Sequence, residues 1–370
     1  MTSRFVLAVV ILVQFSLLGA APDVASTGRI SPIQSMHDRR ADHTSTLLND
    51  GRVLVAGGMV ENGVFLNSAE LFDPASGKFI ATDNMKSRRV GHSATLLPSG
   101  KVLIAGGLAG RVFEGGPGIV ASTEIYDPQT RRFTAGPNMS SGREGHAAVL
   151  LADGKVLIAG GADRDGHELA TAEIYDPGSN RFTPTASMHT SRIAKAAVLL
   201  KDGRVLVTGG GNLRQAEIFD PQKGTWQETG EMKVARMKHG ATLLPDGRVL
   251  IVGGSPDSEW HPVRSAEVFD PKTNQFTLIS EMEFARFKLP DAVTRLKNGD
   301  VLIAGGAADA EIYQAALRHF VRAGSVDGPH FFASATLLAD GRVLIAGGYG
   351  PSNGRPNGPL STQEAWVYRP

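Results

Sequence analysis

The chain has 370 residues and a formal net charge of +1, with 38 lysines and arginines against 37 acidic residues. Because the basic residues are interspersed with the acids and form no block, we expect no nucleic-acid partner. The chain contains no cysteine, which excludes disulfides, cysteine-ligated metals and a lipidated N-terminal cysteine.

Residues 1–21 differ from the rest of the chain. Arg4 gives a positive start, residues 5–18 are mostly apolar, and small residues follow at positions 19–21. This layout is typical of a secretory signal peptide, and the apolar run is short for a helix that spans a bilayer. We therefore expect an exported protein (periplasmic, secreted or cell-surface) with no membrane span in the mature chain. A retained anchor is the alternative, because Leu18 and Pro22 define no clear cleavage point.

The rest of the chain repeats a unit of four short strands. Two apolar strands flank a turn, as at residues 91–107, and the second strand ends in a glycine pair. A third strand ends in an aromatic-Asp-Pro sequence, as at residues 175–177, and a fourth carries a large residue such as Phe182. Seven glycine pairs recur at spacings of 42 to 54 residues. Such an array predicts a ring of small sheets.

The two ends of the chain carry complementary parts of one copy. The last copy stops after its third strand, at residues 364–368, whereas residues 28–36 look like a fourth strand without the first three. Ile30 and Met36 keep the six-residue spacing found between Phe182 and Met188. We predict an all-β, seven-bladed β-propeller with four antiparallel strands per blade, its last blade closed by the N-terminal strand. Residues 22–370 would form this single, monomeric domain.

These motifs resemble the kelch repeat over essentially the whole mature chain. The resemblance rests on the glycine pair, the aromatic-Asp-Pro sequence, the fourth-strand aromatic residue and an arginine before strand one. Gln314 and Val367 replace the aspartate in copies six and seven, where Leu289 and Ala333 also replace a histidine. The resemblance implies a kelch-type β-propeller of the bacterial exported kind. It implies no single function, because this fold serves protein binding, glycan binding and a few enzymes.

Two charged series recur on the face that we call the top, where the loops after strands two and four lie. An arginine precedes strand one in six copies, and a glutamate begins strand three in all seven: Arg40, Arg89, Arg143, Arg192, Arg236 and Arg286, with Glu70, Glu124, Glu173, Glu217, Glu267, Glu311 and Glu364. His330 takes the seventh arginine's place. Since buried charges are tolerated only when paired, we interpret these series as structural ion pairs, within one blade or between two. An anion site, for instance for a sialic acid carboxylate, is the alternative.

Histidines begin strand one in four copies, at His43, His92, His146 and His239. They occupy one repeat position in separate blades, which holds them too far apart to share an ion with bonds of about 2 Å. We expect hydrogen-bonded structural roles, no metal and no cofactor. The glycine pairs are expected to let the backbone of one blade approach its neighbour closely.

Galactose oxidase shares the kelch propeller, and its copper chemistry has to be weighed. That enzyme uses a cysteine-crosslinked tyrosine, whereas this chain has no cysteine and only Tyr349 of its five tyrosines lies in a top loop. The chain also resembles the exported bacterial sialic-acid mutarotase, for which Arg143, Glu144 and Lys238 are candidate groups. We expect a non-catalytic protein that binds a protein or glycan. A mutarotase-type enzyme and a purely structural or surface-display role are the alternatives.

The two positions after the repeated arginine vary from copy to copy. The first holds Ala41, Val90, Glu144, Ile193, Met237, Phe287 and Phe331, and the second holds Asp42, Gly91, Gly145, Ala194, Lys238, Lys288 and Phe332. Because scaffold positions keep one residue type, we expect these variable positions to face solvent or a ligand. They lie beside the top loops that carry Phe113, His261 and Tyr349. We predict a top-face site to which Glu144, Lys238, Lys288, Trp260 and Tyr349 contribute. The alternative is that Phe287, Phe331 and Phe332 fill the channel.

Overall fold

A computed structural model describes residues 28–61, 64–110, 118–193, 196–257, 261–350 and 360–370. The predicted signal peptide, Phe113 and Trp260 lie outside these ranges. Within them the chain is all-β, as predicted. No helix in this part of the chain is long and apolar enough to cross a membrane.

Each copy begins with a hairpin whose turn is determined locally. In the first copy the amide of Leu48 donates to the carbonyl of Arg52 at 2.8 Å, and the side chain of Asp50 accepts from the amide of Arg52 at 3.0 Å. Gly51 has a φ of 84°, which glycine adopts without steric strain. The aspartate and glycine of the turn therefore set the register of the hairpin.

The described residues form seven four-stranded antiparallel sheets, numbered here by copy. Sheet 1 contains Thr44–Leu47, Val53–Ala56, Ala69–Asp73 and Lys78–Ala81. Sheet 2 contains Ser93–Leu96, Val102–Ala105, Thr123–Asp127 and Arg132–Ala135. Sheet 3 contains Ala147–Leu150, Val156–Ala159, Ala172–Asp176 and Arg181–Thr185. Sheet 4 contains Ala197–Leu199, Val205–Thr208, Ala216–Asp220 and Thr225–Glu228.

The remaining sheets follow the same order, with one exception at the N-terminus. Sheet 5 contains Gly240–Leu243, Val249–Val252, Ala266–Asp270 and Gln275–Leu278. Sheet 6 contains Val293–Arg295, Val301–Ile303, Asp309–Gln314 and His319–Ser325. Sheet 7 contains Ser334–Leu337, Val343–Ala346 and Ala365–Arg369, and its fourth strand is Arg29–Pro32. Short top-loop strands are Met59–Glu61, Val64–Phe65, Arg89–Val90, Leu108–Ala109 and Gly118–Ile119.

The N-terminal strand pairs antiparallel with the last strand of the chain. Ile30 lies opposite Tyr368 in this pairing, and the amide of Ile33 donates to the carbonyl of Ala365 at 3.0 Å. Met36 is 3% exposed and packs in the apolar cluster that joins sheets 7 and 1. The segment therefore contributes both backbone pairing and apolar packing.

The core consists of apolar layers between neighbouring sheets. One layer joins sheets 3 and 4 through residues such as Leu157 and Phe219, and another joins sheets 7 and 1 through residues such as Leu344 and Val53. The first strands of successive sheets contact each other, including those of sheets 7 and 1. Strand two of each sheet is therefore buried on both faces, which explains its continuous apolar run.

The glycine pairs end strand two where the next copy crosses closely. A Cβ on Gly57 would lie 2.7 Å from Cε1 of His92 and 2.8 Å from the carbonyl oxygen of Arg89. Gly57 and Gly58 have φ values of 65° and 96°. Both the backbone conformation and the space therefore require glycine, as the close-approach interpretation predicts.

Candidate binding pocket

Six repeated arginines each form an ion pair with the glutamate of their own copy. The pairs, at 2.7 to 3.2 Å, are Arg40–Glu70, Arg89–Glu124, Arg143–Glu173, Arg192–Glu217, Arg236–Glu267 and Arg286–Glu311. In copy four, Arg192 also donates to the carbonyl of Gly209 at 3.0 Å. Glu217 accepts from the amides of His189 at 2.7 Å and Thr190 at 3.1 Å. The pair therefore connects strand three to the segment that enters the sheet.

The electrostatics of the pair fit a structural role. Burial alone would raise the pKa of Glu217, but hydrogen bonds from His189 and Thr190 and the charge of Arg192 outweigh it and hold the pKa below its usual value. Burial lowers the pKa of Arg192, and Glu217 opposes that shift. All six arginines have no exposed surface. Their guanidinium groups therefore face glutamates and carbonyls and are not presented to an anion on the top face.

The seventh copy departs from this arrangement. His330 occupies the arginine's place in this copy. Its Nε2 lies 2.7 Å from the carbonyl oxygen of Val326, and its ring centroid lies 4.6 Å from that of Trp366. Glu364 is exposed. The assignment of Glu364 to the series of structural ion pairs is therefore wrong, because the imidazole in the arginine's place bonds to the carbonyl of Val326 and contacts the ring of Trp366 instead of pairing with this carboxylate.

The four histidines each connect neighbouring sheets. Their Nε2 atoms lie 2.8 to 3.1 Å from hydroxyl oxygens of the preceding sheet: His43 with Ser334, His92 with Thr44, His146 with Ser93 and His239 with Thr208. Burial, reinforced by the charge of Arg236, lowers the pKa of His239 to about 3. A neutral imidazole bonded to a hydroxyl fits the hydrogen-bonded role better than a shared metal site.

A cavity of about 260 Å³ lies where the variable positions converge on the top face. We call it the shared pocket, because every copy contributes to its lining. One lining residue from each copy, in order, is Asp42, Gly91, Glu144, Ile193, Lys238, Pro290 and Phe332. The positions that follow the repeated arginine therefore do meet at one place.

The second variable position has a left-handed backbone wherever it is described. The φ values are 49° at Asp42, 64° at Gly91, 61° at Gly145, 52° at Lys238, 61° at Lys288 and 55° at Phe332. We call these six residues the left-handed series. A side chain in this conformation costs about 1–2 kcal/mol relative to the ordinary helical region. Charged or aromatic residues retained at such a cost are typical of functional sites.

The backbones of this series bond to each other across copies. The amide of Asp42 donates to the carbonyl of Phe332 at 3.1 Å, and the amide of Phe332 donates to the carbonyl of Lys288 at 3.1 Å. The amide of Gly145 donates to the carbonyl of Gly91 at 3.0 Å. These bonds hold the pocket residues in place independently of their side chains, which leaves the side chains free to differ.

Lys288 and Tyr349 do not line the shared pocket, and their prediction as ligand contacts requires correction. They are 6% and 5% exposed, and Lys288 Nζ donates to the hydroxyl of Tyr349. The ammonium lies 4.9 Å from the ring centroids of Phe287 and Tyr349, and 5.6 and 5.4 Å from those of Phe331 and Phe332. These rings fill the top face beside the pocket and enclose the lysine by cation–π contact. Around Lys288, therefore, the alternative that Phe287, Phe331 and Phe332 fill the channel describes the top face.

The enclosed lysine should make stability depend on pH. Burial, reinforced by Lys238 and opposed by Asp42, lowers the pKa of Lys288 to about 7 from 10.5. Between these values the unfolded chain binds a proton that the folded chain lacks, so the free energy of unfolding should rise with pH, by at most about 1.4 kcal/mol per pH unit. Urea unfolding at pH 7, 8 and 9 should show this rise in the wild type and a flatter profile in Lys288→Met. Lys223→Met, at an exposed lysine, should keep the wild-type slope, and equal slopes in all three proteins would contradict the shift.

The structure brings together only part of the predicted site. Glu144 and Lys238 line the shared pocket, and Trp260 lies outside the described residues. The sequence prediction did not select Asp42 and Phe332, which also line it. Glycine in two of seven copies was the available signal, because it indicates a position that requires positive φ.

The described residues do not fit a copper centre of the oxidase type. Among the described lining residues His239 is the single histidine, and its Nε2 bonds to Thr208. Tyr349 accepts from Lys288, and the sequence has no cysteine to crosslink a tyrosine. In the described ranges, one group of three possible metal ligands occurs, Asp163, Asp165 and His167, in the loop between strands two and three of sheet 3.

Comparison with known proteins identifies the repeat and the fold. Residues 145–189 and 238–283 match the family model described as the kelch motif. No curated protein matches the chain. A fungal alcohol oxidase of the AA5 family, solved in complex with copper, is 16% identical with a TM-score of 0.73, and the alignment covers 93% of this chain and 76% of the oxidase. At this identity the likeness concerns the fold alone. The two kelch-motif matches and this likeness of fold support a kelch-repeat β-propeller with a distant resemblance to galactose oxidase.

Proposed function

We propose that this protein is an exported, non-catalytic glycan-binding propeller whose shared pocket accepts one sugar unit. The observation that carries the proposal is the shared pocket itself, a cavity of about 260 Å³ to which all seven copies contribute. A cavity of this size is smaller than most drug-sized ligand sites. It suits one ring or side chain of a larger ligand. Export rests on the signal-like sequence of residues 1–21.

The proposal includes a closed, seven-bladed ring. Three observations support it: the pairing of Arg29–Pro32 with Ala365–Arg369, the apolar layer between sheets 7 and 1, and the hydrogen bond between His43 and Ser334 across the same junction. A ring places the first strands around an axis, and a pocket lined by all copies would then lie on that axis.

The polar groups of the pocket favour a sugar over a protein side chain. Asp42 and Glu144 offer carboxylate acceptors, Lys238 offers an ammonium donor, and Phe332 offers a half-exposed ring. Sugar hydroxyls both donate and accept, so a sugar can satisfy the acids and the lysine together while its apolar face packs on the aromatic ring. A lysine or arginine from a partner protein supplies donors only and offers Lys238 no acceptor.

A sugar-active enzyme is the second candidate, because carboxylates and an ammonium group line one cavity and could exchange protons with one sugar. The proposed role of Arg143 in such an enzyme loses support, since Arg143 is buried and paired with Glu173 at 3.1 Å. Proton NMR of freshly dissolved sialic acid or glucose, with and without protein, measures acceleration of anomerisation. Acceleration that disappears in Glu144→Gln would favour the enzyme.

Lys238→Gly provides a test that separates binding from folding. Glycine occupies the same position in copies two and three and relieves the left-handed backbone, so we expect a thermal midpoint close to that of the wild type. Loss of a charged donor should weaken glycan binding about tenfold or more. The measurement is a glycan array followed by calorimetric titration of the best glycan.

The matched control for this test is Asp246→Asn in the exposed turn on the opposite face. Asp246 pairs with Arg248 at the surface, and its replacement should leave glycan affinity unchanged. Failure of the wild type to bind any arrayed glycan would overturn the proposal. So would binding that Asp246→Asn weakens and Lys238→Gly does not, or capture of a protein ligand by the same pocket.

A further inference from the structure

Lys288 lies directly beside one wall of the shared pocket. Phe332 lines the pocket, and Lys288 Nζ lies 5.4 Å from the centroid of its ring. Two backbone hydrogen bonds of 3.1 Å continue this contact: the amide of Phe332 donates to the carbonyl of Lys288, and the amide of Asp42 donates to the carbonyl of Phe332. Asp42 lines the pocket as well. Lys288 therefore contacts the pocket wall through its side chain and through its backbone.

Titratable side chains from three other copies act on the ammonium of Lys288. The hydroxyl of Tyr349, in copy seven, accepts a hydrogen bond from Nζ, and burial raises the pKa of this hydroxyl, so that it keeps its proton. Lys238 of copy five and Asp42 of copy one both line the pocket and act through their charges. Lys238 disfavours protonation of Lys288, and Asp42 favours it. The protonation of Lys288 is therefore coupled to two residues that a ligand in the pocket would contact.

The charge of Lys288 determines how firmly the pocket wall is held. An ammonium binds the faces of aromatic rings by cation–π attraction and attracts the carboxylate of Asp42, whereas a neutral amine does neither. Lys288 is 6% exposed, so solvent screens these attractions little. A wall that is already ordered binds a ligand more tightly, because binding then costs less side-chain entropy.

We propose that Lys288 is a positioning residue of the shared pocket, whose ammonium holds the ring of Phe332 and the carboxylate of Asp42 in the arrangement that binds the sugar. This inference rests on the proposed glycan-binding function and adds its regulation by pH. Because burial lowers the pKa of Lys288 to about 7, the ammonium is lost as the pH rises through neutrality. Binding is therefore tight below pH 7 and weaker above it, and a bound sugar raises the pKa of Lys288 by linkage.

The first experiment measures binding as a function of pH. Calorimetric titrations of the full chain between pH 6 and 9 use glucose, galactose and N-acetylglucosamine, which have no group that titrates in this range. For the sugar that binds, the affinity should fall about fivefold between pH 6 and 9. Titrations at pH 7.5 in phosphate and in Tris should show proton uptake on binding. His239 does not contribute, because burial lowers its pKa to about 3.

The second experiment fixes the charge of Lys288. Lys288→Met has a similar length and no charge, so it should bind with the weaker, high-pH affinity at every pH and take up no proton. Lys288→Arg keeps its charge throughout and should bind with the tighter, low-pH affinity at every pH. Arginine adopts the same left-handed conformation elsewhere in this chain, at Arg318 with a φ of 59°. Thermal unfolding checks both variants, and if Lys288→Arg does not fold, Lys288→Met and the proton uptake decide.

Two further variants test the source of the pH dependence. Tyr349→Phe removes an acceptor of the ammonium, so the midpoint of the binding profile should move to lower pH. Lys223→Met, at an exposed lysine, should keep the profile of the wild type. A midpoint that stays in place in Tyr349→Phe would argue against titration of Lys288.

The outcomes separate this inference from the proposed function. Affinity that is independent of pH, or that rises with pH, overturns the inference while glycan binding stands. A wild-type profile in Lys288→Met, together with a flat profile in Lys238→Gly, assigns the titration to Lys238 and also overturns it. Absence of binding by these sugars at pH 6 and by every arrayed glycan overturns the proposed function together with the inference.

Discussion

Replacing Arg192 with methionine is expected to reduce the free energy of unfolding by about 3–5 kcal/mol, the range found when one partner of a buried ion pair is removed. The fully buried Glu217 would keep its charge, and its remaining partners would be the amides of His189 and Thr190 and the imidazole of His189, whose Nδ1 lies 2.9 Å from Glu217 Oε2. Urea denaturation at pH 7 measures the effect. Arg192→Met combined with Glu217→Met should recover much of the loss, because an apolar pair leaves no buried charge.

The matched control is an exposed pair in the same copy. Arg214 and Glu231 pair at 2.7 Å with 53% and 45% of their side chains exposed, and Arg214→Met should cost no more than about 1 kcal/mol. Equal losses at Arg192 and Arg214 would contradict the structural role of the buried series. If Arg192→Met were thermally silent but abolished ligand binding, the anion-site alternative would replace it.

Acid titration gives an independent check of the same pair. Because the pKa of Glu217 is lowered on folding, its contribution is complete above 4.5, the usual glutamate value, and is lost as the pH falls through the lower folded value. The stability difference between the wild type and the Arg192→Met, Glu217→Met double variant should therefore narrow below pH 4.5. A difference that stays constant down to pH 3 would argue against the charged pair.

Deleting residues 28–36 is expected to reduce the free energy of unfolding by at least as much as Arg192→Met does. The deletion removes the partner strand of Ala365–Arg369 and exposes its backbone edge, and it removes the buried Met36 from the layer between sheets 7 and 1. Loss of a buried methionine side chain alone costs about 2–5 kcal/mol in protein cores. The thermal midpoint should fall markedly, and the exposed edge should promote association that size-exclusion chromatography detects.

Two further variants make this prediction specific. Removal of residues 1–21 should leave the midpoint unchanged if they form the proposed signal peptide, because such a segment is not part of the mature fold. Met36→Ala should lower the midpoint by an intermediate amount, since it removes packing and keeps the strand. An unchanged midpoint after deletion of residues 28–36 would disprove closure by the N-terminal strand.

Much of the fold could be predicted because its signals are local. An Asp-Gly turn such as residues 50–51 supplies the positive φ of a hairpin, and an Asp-Pro sequence such as residues 176–177 ends a strand, whatever the distant surroundings. Repetition multiplied these weak signals and indicated the kelch-type all-β fold and its antiparallel four-stranded sheets. The role of Gly57 and Gly58 could be predicted for the same reason, since few residues other than glycine adopt a positive φ.

The candidate site could be predicted only as a set of positions. The sequence identified the variable positions after each arginine, and thus Glu144 and Lys238, because the scaffold around them repeats. It listed Asp42 among these positions but gave no reason to select it as a site residue, and it did not indicate that Lys288 is enclosed by aromatic rings. These outcomes depend on which side chains from copies far apart in sequence meet, and such contacts have no local signature.

The sequence by itself therefore determined the strands, the turns and the repeated charges, each of which follows from backbone preferences and burial within one copy. Only the tertiary structure decided which partners these charges take. It paired Arg192 with Glu217 and not Glu173, left Glu364 exposed beside His330, and placed Asp42 and Glu144 around one cavity. The reason is that ion pairs, cation–π contacts and cavities depend on distances of a few ångströms between side chains, within one copy or between copies, which the order of residues along a chain does not specify.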